Sequence, residues 1–460
     1  MKNAERSVDV QAFIDSQRFS PFQWAILVLC FLVVAADGFD TAAVGFIAPS
    51  LVLEWGVTRA SLGPVMSAAL VGLGIGAVAA GPCADRVGRK TVLVLSVFFF
   101  GAWSFAAAHA SSIESLTVLR FFTGLGLGAA MPNAVTLMSE YAPARIRAVV
   151  VNAMFCGFSC GLAIGGVASA WLIPHFGWPG VLVAGGVGPI VLTVLLILLL
   201  PESVQFMVAR QGADARIARI LRRIAPLGRF DGCRFVSAES QASRKGQSAP
   251  GLVLSSRYRF GTLMLWLAYF MGLLIYYLLT NWLPTLFRDT GFTGQNAALM
   301  TSLFPLGGVL GNLCVGWVMD RFNGGRVIAF TYVLVAALVL LVGRGVGHQI
   351  WLGALIFVTG TVVTSAVTSM SALAASFYPT RGRATGVAWM LGVGRIGGVA
   401  GALVGAALMS MGWQFGAVFG LLAVPALIAA LGLYVMTKRA MREEPTQDEA
   451  GATVAAQLGH

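Results

Sequence analysis

The most constraining feature of this chain is a pair of acidic residues inside an apolar segment. Asp37 and Asp40 lie in a run from Trp24 to Ile47 that contains no other charged residue. Such a run can cross a bilayer, which takes roughly 20 residues. A carboxylate at hydrocarbon depth costs at least ~2.5 kcal/mol, so it is retained where it meets a wet cavity or an ionic partner. The two acids are three residues apart and share one helix face, which indicates a proton or substrate site or, alternatively, a buried structural ion pair.

The rest of the chain is also typical of a membrane protein. Hydrophobic residues make up 57% of it and charged residues 11%, whereas soluble domains carry about 25% charged residues. The sequence therefore predicts an all-α membrane protein with 12 transmembrane helices. The predicted spans are 24–47, 61–82, 91–108, 115–138, 148–172, 179–200, 260–283, 295–319, 327–344, 350–377, 385–410 and 412–436.

The basic residues are distributed unevenly between the two sets of connecting segments. One set, with both chain ends and the long linker, holds nearly all of them, whereas the other holds only Arg59, Arg288 and Arg344. Because cytoplasmic loops are enriched in Lys and Arg, both termini are predicted to be cytoplasmic. This bias also explains the net charge of +12 without any nucleic-acid partner.

Matching motifs in the two sets of six spans indicate an internal duplication. The loop Gly81-Pro-Cys-Ala-Asp85-Arg86-Val-Gly88-Arg89-Lys90 corresponds to Gly316-Trp-Val-Met-Asp320-Arg321-Phe-Asn-Gly-Gly-Arg326. Likewise, Pro143-Ala-Arg145-Ile-Arg147 corresponds to Pro379-Thr-Arg381-Gly-Arg383. Repeats of this kind predict two pseudo-symmetric six-helix bundles about an axis normal to the membrane, with a site between them.

The duplication divides the chain into four parts. We expect an N-terminal bundle with a cytoplasmic N-terminus (1–200), a cytoplasmic linker (201–259), a C-terminal bundle (260–436) and a cytoplasmic polar tail (437–460). In the linker, Ile217, Ile220, Leu221 and Ile224 follow helical spacing with arginines between them. This pattern predicts an amphipathic helix lying on the inner membrane surface.

The loop motif and its repeat resemble the major facilitator superfamily, as does Leu119-Arg120-Phe-Phe-Thr-Gly124-Leu-Gly126-Leu-Gly128. More narrowly, Asp37-Gly-Phe-Asp40-Thr, Arg59-Ala-Ser-Leu-Gly-Pro-Val-Met-Ser67 and Pro201-Glu202-Ser203 are similar to the aromatic acid:proton symporter family. The resemblance is closest to bacterial 4-hydroxybenzoate and protocatechuate transporters. It implies the major facilitator fold and proton-coupled import of a hydroxylated aromatic acid by alternating access, as a monomer in a bacterial inner membrane.

The second copy of the loop motif departs from the family pattern. There Asn323-Gly-Gly replaces the tight Gly-Arg-Lys run of the first copy. The cytoplasmic gate of the C-terminal half is therefore expected to be looser than that of the N-terminal half.

Asp40 and Arg120 are predicted to lie at similar depth. With ~1.5 Å of rise per residue, Asp40 is about 10 Å and Arg120 about 8 Å below the outer ends of their spans. Opposite charges at one depth in one bundle are expected to pair. Together with Asp37 they are the candidate proton-coupling residues, and the alternative is a permanent ion pair that only orients helices.

Arg395 is predicted to start about 15 Å deep, near the membrane midplane, with no acid at that depth in its own half. Its planar guanidinium suits a substrate carboxylate, with Asp37 nearby as proton acceptor. A structural Asp37–Arg395 bridge between the halves is the alternative. An aromatic substrate also needs flat apolar walls and a polar group for a ring hydroxyl. The candidates are Phe270, Tyr276, Tyr277, Trp389 and Asn281.

A third group of charged residues clusters where the spans meet the cytosol. In the superfamily such residues latch the bundle ends together, and the breakable contacts supply two alternative states. The candidate cytoplasmic gate comprises Asp85, Arg86, Arg89, Glu140, Arg145, Arg147, Glu202, Asp320, Arg321, Arg381 and Arg383.

Other classes of function are disfavoured. The run Gly124-Leu-Gly126-Leu-Gly128 has no preceding strand and indicates helix packing rather than phosphate binding. The four histidines form no metal or catalytic constellation, so no enzyme, metal or cofactor is expected. The rival hypotheses are a proton-driven efflux antiporter of the same fold, an aromatic-acid chemosensor and a sugar porter, which needs no unpaired midplane arginine.

Overall fold

The computed structural model is almost entirely helical. It describes residues 7–210, 214–226, 230, 233–236, 249–345, 349–378 and 380–443. The helices are α1 (Val10–Ser16), α2 (Pro21–Trp55), α3 (Leu62–Val87), α4 (Arg89–Ala107), α5 (Ile113–Tyr141), α6 (Arg147–Leu199), α7 (Val204–Ala209), α8 (Asp214–Ile224), α9 (Ala249–Val253), α10 (Arg259–Asp289), α11 (Gly294–Arg321), α12 (Gly324–Arg344), α13 (Gln349–Phe377), α14 (Thr380–Ser410) and α15 (Phe415–Glu443).

The helices are consistent with the twelve membrane crossings expected from the sequence. Ten helices are long and apolar enough to span a membrane within the described part of the chain. One of these, α6, has 53 residues and leaves helical geometry at Gly177, where φ is 69° and ψ is −176°. A straight helix of that length would measure about 80 Å, far more than a bilayer, so α6 is two consecutive crossings. The 28-residue α11 supplies the remaining crossing.

Helix pairing follows the predicted duplication. In the first half, α2 packs along the first part of α6, α3 packs along α5, and α4 packs along the second part of α6. In the second half the corresponding pairs are α10 with α14, α11 with α13, and α12 with α15. Between the halves, α2 packs against α10, α3 against α14 and α6 against α11. This set of contacts stays the same when each helix is replaced by its counterpart in the other half. This is the major facilitator arrangement of two related six-helix bundles.

Glycines allow these helix pairs to approach closely. A Cβ added at Gly124 or Gly128 of α5 would collide with the backbone carbonyls of Ala69 and Leu73 in α3. The second half repeats the device, since a Cβ at Gly307 of α11 would collide with the carbonyl of Phe357. The glycine run of the fourth span is therefore a helix-packing surface, as the small-residue pattern predicts.

The linker contains an amphipathic helix whose apolar stripe is covered by protein. Ile217, Leu221 and Ile224 of α8 are buried in one apolar cluster with the ends of the first-half helices. Arg223 lies 4.7 Å from the ring of Phe22 at the start of α2. The stripe therefore packs on the bundle ends, and the position of α8 at the inner membrane surface stays a prediction.

A short sheet ties the start of the chain to the linker. Strand β1 (Ser7–Asp9) pairs in parallel with β2 (Arg234–Val236). At the other end of the chain, Arg439 lies over the ring of Phe260 at the start of α10, 5.0 Å from its centroid. The first and last described segments of the chain and the described parts of the linker thus share one face of the bundles, which we call the linker face.

The two halves meet closely toward the other face, which we call the opposite face. A Cβ at Gly45 of α2 would lie 2.8 Å from the carbonyl oxygens of Thr280 and Asn281 in α10. Arg59, just before α3, forms a bidentate salt bridge with Asp289 at the end of α10, with both N–O distances 2.6 Å. The bundles are therefore closed at the opposite face.

We predict that Gly76→Ala destabilises the protein and that Gly74→Ala does not. A Cβ at Gly76 would collide with the carbonyl of Leu125, whereas nothing lies within 4 Å of one at Gly74. Alanine in a helix is otherwise favoured over glycine by about 0.5–1 kcal/mol. Thermal unfolding in detergent should show a lower midpoint for Gly76→Ala and an unchanged or higher one for Gly74→Ala. Equal midpoints would show that this contact does not limit packing.

Candidate functional site

The centre of the first half contains a fully buried ion pair. Arg120 of α5 donates from Nη1 to Oδ1 of Asp40 in α2 at 2.8 Å and from Nη2 to the backbone carbonyl of Asp40 at 3.3 Å. Arg120 is 1% exposed and Asp40 is 0% exposed. The hydroxyl of Ser104 in α4 donates to the same Oδ1 at 3.0 Å. Three helices thus converge on one carboxylate oxygen.

The ion pair leaves one atom of each partner unsatisfied. Oδ2 of Asp40 and Nε of Arg120 are buried and have no hydrogen-bond partner. An unsatisfied buried carboxylate oxygen is costly, because it loses its hydration and gains no partner. The free Oδ2 is therefore a position where a proton, once bound, would remove buried charge.

Asp37 lies one turn earlier on the same helix and has even fewer partners. It is 2% exposed, its Oδ1 accepts one long hydrogen bond from Thr41 at 3.4 Å, and its Oδ2 has no partner. Asp37 interacts electrostatically with Arg395 of the other half, but the two side chains, both in the described part of the chain, form no salt bridge. In this conformation the interhalf bridge considered above is not made.

Arg395 is surrounded by tyrosines rather than acids. Its Nη1 donates to the hydroxyl of Tyr277 at 3.3 Å, and Gly394 packs its backbone against the ring of Tyr269. Arg395 is partly exposed, unlike the two aspartates. Since Tyr277 is the one hydrogen-bond acceptor that the described residues supply to the guanidinium, Arg395 retains donors for a further anion.

A small cavity lies between the two halves beside Arg120 and Tyr277. It has a volume of about 20 Å³ and is lined by residues of α2, α3, α5 and α10, among them Thr41, Arg120, Tyr277 and Asn281. That volume holds about one water molecule. A benzoate-sized ligand needs the halves to separate further here, as alternating access requires.

The aromatic candidates divide into two groups. Tyr276 contacts the rings of Tyr277 and Phe304, with centroids 5.6 Å and 5.9 Å away, so it belongs to the central cluster. Tyr277 lines the central cavity and Tyr276 lies directly behind it, whereas Phe270 and Trp389, both in the described part of the chain, neither line the cavity nor contact these two rings. Trp389 instead lies 6.1 Å from Trp266, and a Cβ at Gly397 would collide with the backbone of Phe270.

Sequence reasoning missed two residues of this region, Tyr269 and Ser104. Tyr269 is seven residues from Tyr276, which is two helical turns, so the same face could have been inferred from spacing. Ser104 is a polar residue near the end of the third span, and depth along the helices places it close to Asp40. Its hydrogen bond to the carboxylate depends on how α4 is rotated, and the sequence carries no signal for that.

Charged residues at the linker face form a connected network in the first half. Nε of Arg89 lies 3.8 Å from Oε1 of Glu140. Glu140 accepts a hydrogen bond from Ser203 Oγ, and Glu202 accepts one from the backbone N–H of Lys90 at 3.0 Å. These contacts connect α4, α5 and the start of the linker.

The remaining gate candidates are distributed around this network. Arg145 donates to the carbonyl of Gln17 at 3.1 Å, and Arg147 has a buried Nε without a partner. Arg86 and Arg321 are exposed, and the carbonyl of Arg86 accepts a hydrogen bond from Arg210. The side chains of the other four candidates lie outside those that the structure describes: Asp85, Asp320, Arg381 and Arg383.

Two six-helix bundles with buried charges at their interface define a secondary transporter of the major facilitator class. The family model described as Major Facilitator Superfamily matches residues 30–286 and 265–459, and the chain belongs to this superfamily. A solved structure of the inward-open conformation of the xylose transporter XylE from E. coli superimposes with a TM-score of 0.72 at 17% identity, covering 90% of this chain and 95% of that one.

Closer relatives are found by sequence. The chain is 50% identical over 426 residues to the 4-hydroxybenzoate transporter PcaK of Pseudomonas aeruginosa, covering 93% of this chain and 95% of that protein. It is 48% identical over 439 residues to a gallate transporter of Pseudomonas putida, covering 95% and 97% of the two chains. The homologues are transporters, and the chain is not an enzyme.

We predict that Arg120→Met destabilises the protein more than the double variant Asp40→Asn/Arg120→Met. Removing one partner of a buried ion pair leaves an uncompensated charge and costs about 3–5 kcal/mol, whereas removing both avoids that cost. Thermal unfolding in detergent measures the difference, and Arg344→Met, at an exposed arginine, is the control. A double variant as unstable as the sum of the two single variants would show that the pair is not coupled.

Proposed function

We propose that this protein is a proton-coupled symporter that imports a hydroxylated aromatic acid, 4-hydroxybenzoate or protocatechuate, across a bacterial inner membrane. The observation that carries the proposal is the environment of Arg395, whose guanidinium donates to Tyr277 and forms no salt bridge with the nearby Asp37 of the other half. A cation at that depth needs an anion, and a substrate carboxylate meets the requirement.

The surroundings of Arg395 fit an aromatic ring that carries a hydroxyl group. Tyr277 provides a flat wall backed by Tyr276, and Asn281 provides a donor and an acceptor in the lining of the cavity. The relatives are named for 4-hydroxybenzoate and gallate, two compounds that share a carboxylate and a hydroxyl group para to it. We therefore assign Arg395, with the Tyr277 hydroxyl beside it, to the carboxylate, and Asn281, one helical turn further along α10, to the para hydroxyl.

Protons enter the mechanism through Asp37 and Asp40. Each has a buried Oδ2 without a hydrogen-bond partner, so each gains when a proton neutralises it. Arg120 holds Asp40 in place through the other oxygen. When a carboxylate occupies Arg395, the electrostatic support that Asp37 receives from that guanidinium weakens, and Asp37 takes up a proton together with the substrate.

The energetics favour this coupling. An anion moved inward works against the membrane potential by ~2.3 kcal/mol per 100 mV. One proton per carboxylate cancels the charge and leaves the pH gradient, worth ~1.4 kcal/mol per unit, as the driving force. A second proton per carboxylate adds the membrane potential to the driving force. The presence of two acids, Asp37 and Asp40, permits two protons per substrate.

The orientation follows from the basic residues. We propose that the linker face is cytoplasmic, with the boundaries 1–200, 201–259, 260–436 and 437–460 for the two bundles, the linker and the tail. The closed opposite face then makes this conformation inward-facing. In the outward-facing state, the charged residues of the linker face connect the halves as a gate. One chain contains the complete site, so the monomer is the functional unit.

We predict that Asp37→Asn, Asp40→Asn and Arg395→Ala each abolish concentrative uptake of radiolabelled 4-hydroxybenzoate into proteoliposomes with an imposed pH gradient. Arg395→Ala should weaken binding most, because it removes the carboxylate's partner. Asp40→Asn should mainly break coupling and leave substrate exchange partly active. Arg344→Ala, which removes an exposed arginine remote from the site, should retain uptake.

The same assay separates the rival functions. Full concentrative uptake by Arg395→Ala would remove its role as carboxylate anchor. Wild-type vesicles that expel the substrate in exchange for protons would identify an efflux antiporter instead. Uptake of xylose in place of the aromatic acid would identify a sugar porter.

We predict that Arg59→Gln or Asp289→Asn shifts the protein toward the conformation open at the opposite face. Breaking the salt bridge between the halves removes about 1 kcal/mol or less from the closed state, because both side chains are partly exposed. A cysteine introduced at Thr41 should then react faster with a membrane-impermeant thiol reagent added from that face. The exchanged pair Arg59→Asp/Asp289→Arg should restore the original rate, and an unchanged rate in both single variants would show that the bridge is not a gate.

A further inference from the structure

A second cavity lies between the halves at the opposite face. Its volume is about 350 Å³, within the ~300–1,000 Å³ of typical ligand sites. It shares no lining residue with the central cavity. Ser50 of its wall is ten residues beyond Asp40 on α2, which corresponds to about 15 Å along the helix axis. This cavity is therefore separate from the site built around Arg395.

One wall of the cavity carries an arginine side chain that has no acidic partner among the described residues. Arg288, near the end of α10, lines the cavity, and its side chain forms no hydrogen bond or ion pair within the described part of the chain. Its neighbour Asp289 is engaged by Arg59. Arg288 thus presents an uncompensated cation to the enclosed space.

The same wall contains the N-terminus of α11. Thr293 caps this 28-residue helix by accepting from the N–H of Asn296, which leaves other N–H groups of the first turn free for a ligand. Nη1 of Arg288 lies 3.3 Å from the position of a Cβ added at Gly294. A positive helix end beside a cation is unfavourable by itself, and an anion between them relieves both charges.

A buried hydroxyl group on the other side of the cavity gives an independent indication of a ligand. Ser169 of α6 is 0% exposed and lines the cavity, yet its Oγ has no hydrogen-bond partner. Ser302 on the facing helix α11 satisfies itself by donating to the carbonyl of Ala298 at 2.8 Å. A buried hydroxyl left without a partner costs about 1–3 kcal/mol, which a polar ligand atom would recover.

Much of the remaining wall is apolar. Phe46, Pro49, Pro174 and Pro284 line the cavity from α2, α6 and α10, while Ser50 and Gln295 add polar groups. Proline rings and a phenyl ring suit a flat aromatic ligand, and the few polar groups between them suit its substituents.

We propose that this cavity is a second binding site for a small aromatic carboxylate, with the carboxylate between Arg288 and the first turn of α11 and a polar substituent at Ser169. Residues of both halves form the site, so it exists only while the opposite face is closed. A ligand that binds one conformation shifts the equilibrium toward it. Occupancy therefore holds the carrier closed at this face and slows its return.

The test is equilibrium binding of 4-hydroxybenzoate to the purified full-length protein by calorimetry. Wild type should bind at two classes of site. Arg288→Gln should weaken one class by about tenfold or more, as expected for loss of a charged hydrogen bond, and Ser169→Ala should weaken the same class less. Arg395→Ala should affect the other class only, and Arg344→Gln should affect neither. The neutral analogue 4-hydroxybenzyl alcohol should not occupy the Arg288 site.

Each contrary outcome can be recognised. Identical isotherms for wild type and Arg288→Gln would overturn the second site, whatever happens at Arg395. If only the binding class that depends on Arg395 is missing, the proposed transport function is contradicted. The second site is still supported by the binding class that depends on Arg288. The measurement is repeated in nanodiscs of phosphatidylcholine and of phosphatidylglycerol. If phosphatidylglycerol abolishes the Arg288-dependent class and phosphatidylcholine does not, the cavity is a lipid headgroup site and the proposal is overturned.

Transport provides a second readout that a purely structural role would not change. At high external 4-hydroxybenzoate, occupancy of the closed state should reduce the initial rate of uptake by the wild type. Arg288→Gln should remove this inhibition and leave the rate at low concentration intact. Unchanged inhibition in Arg288→Gln would contradict the coupling between this site and closure.

Discussion

The buried contact between Arg120 and Asp40 is the interaction on which the rest of the site depends. Together with the hydroxyl of Ser104 it fixes three helices of the first half around one carboxylate oxygen. Among the described residues, the second half has no equivalent pair, because Arg395 is surrounded by tyrosines. Asp37 of the first half and Arg395 of the second half therefore face the interface as opposite charges without a salt bridge. This arrangement makes the interface respond both to a proton and to an anion.

The contacts between the halves are suited to repeated separation. At Gly45, Gly63 and Gly166 the helices of one half approach the other with no side chain of their own. The linker-face network described above connects parts of the first half with one another, so it leaves that face free to open. Closure at one end and freedom at the other are what a rocking mechanism requires.

The sequence predicted some elements better than others. The spans were identified correctly, but several helices extend further, as in α2 (Pro21–Trp55) against the predicted 24–47. Hydropathy detects the part of a helix in hydrocarbon, whereas backbone hydrogen bonding continues beyond it. The stripe of α8 correctly indicated an amphipathic helix and gave no indication that protein would cover it. Of the aromatic candidates, Tyr277 accepts a hydrogen bond from Arg395. The second tyrosine beside Arg395 is Tyr269, which packs against Gly394 and was not among the candidates.

The sequence by itself determined that this chain is a membrane protein built from two related halves. It also predicted twelve spans and placed Asp37, Asp40, Arg120 and Arg395 at hydrocarbon depth. Hydropathy and helical rise are local properties, because each depends only on residues that are close together in the sequence. Only the tertiary structure decided that Arg120 meets Asp40, that Arg395 remains without an acid, and that a second cavity forms around Arg288. Such contacts depend on the rotation of each helix and on how closely the two halves approach, and packing across the whole bundle sets both.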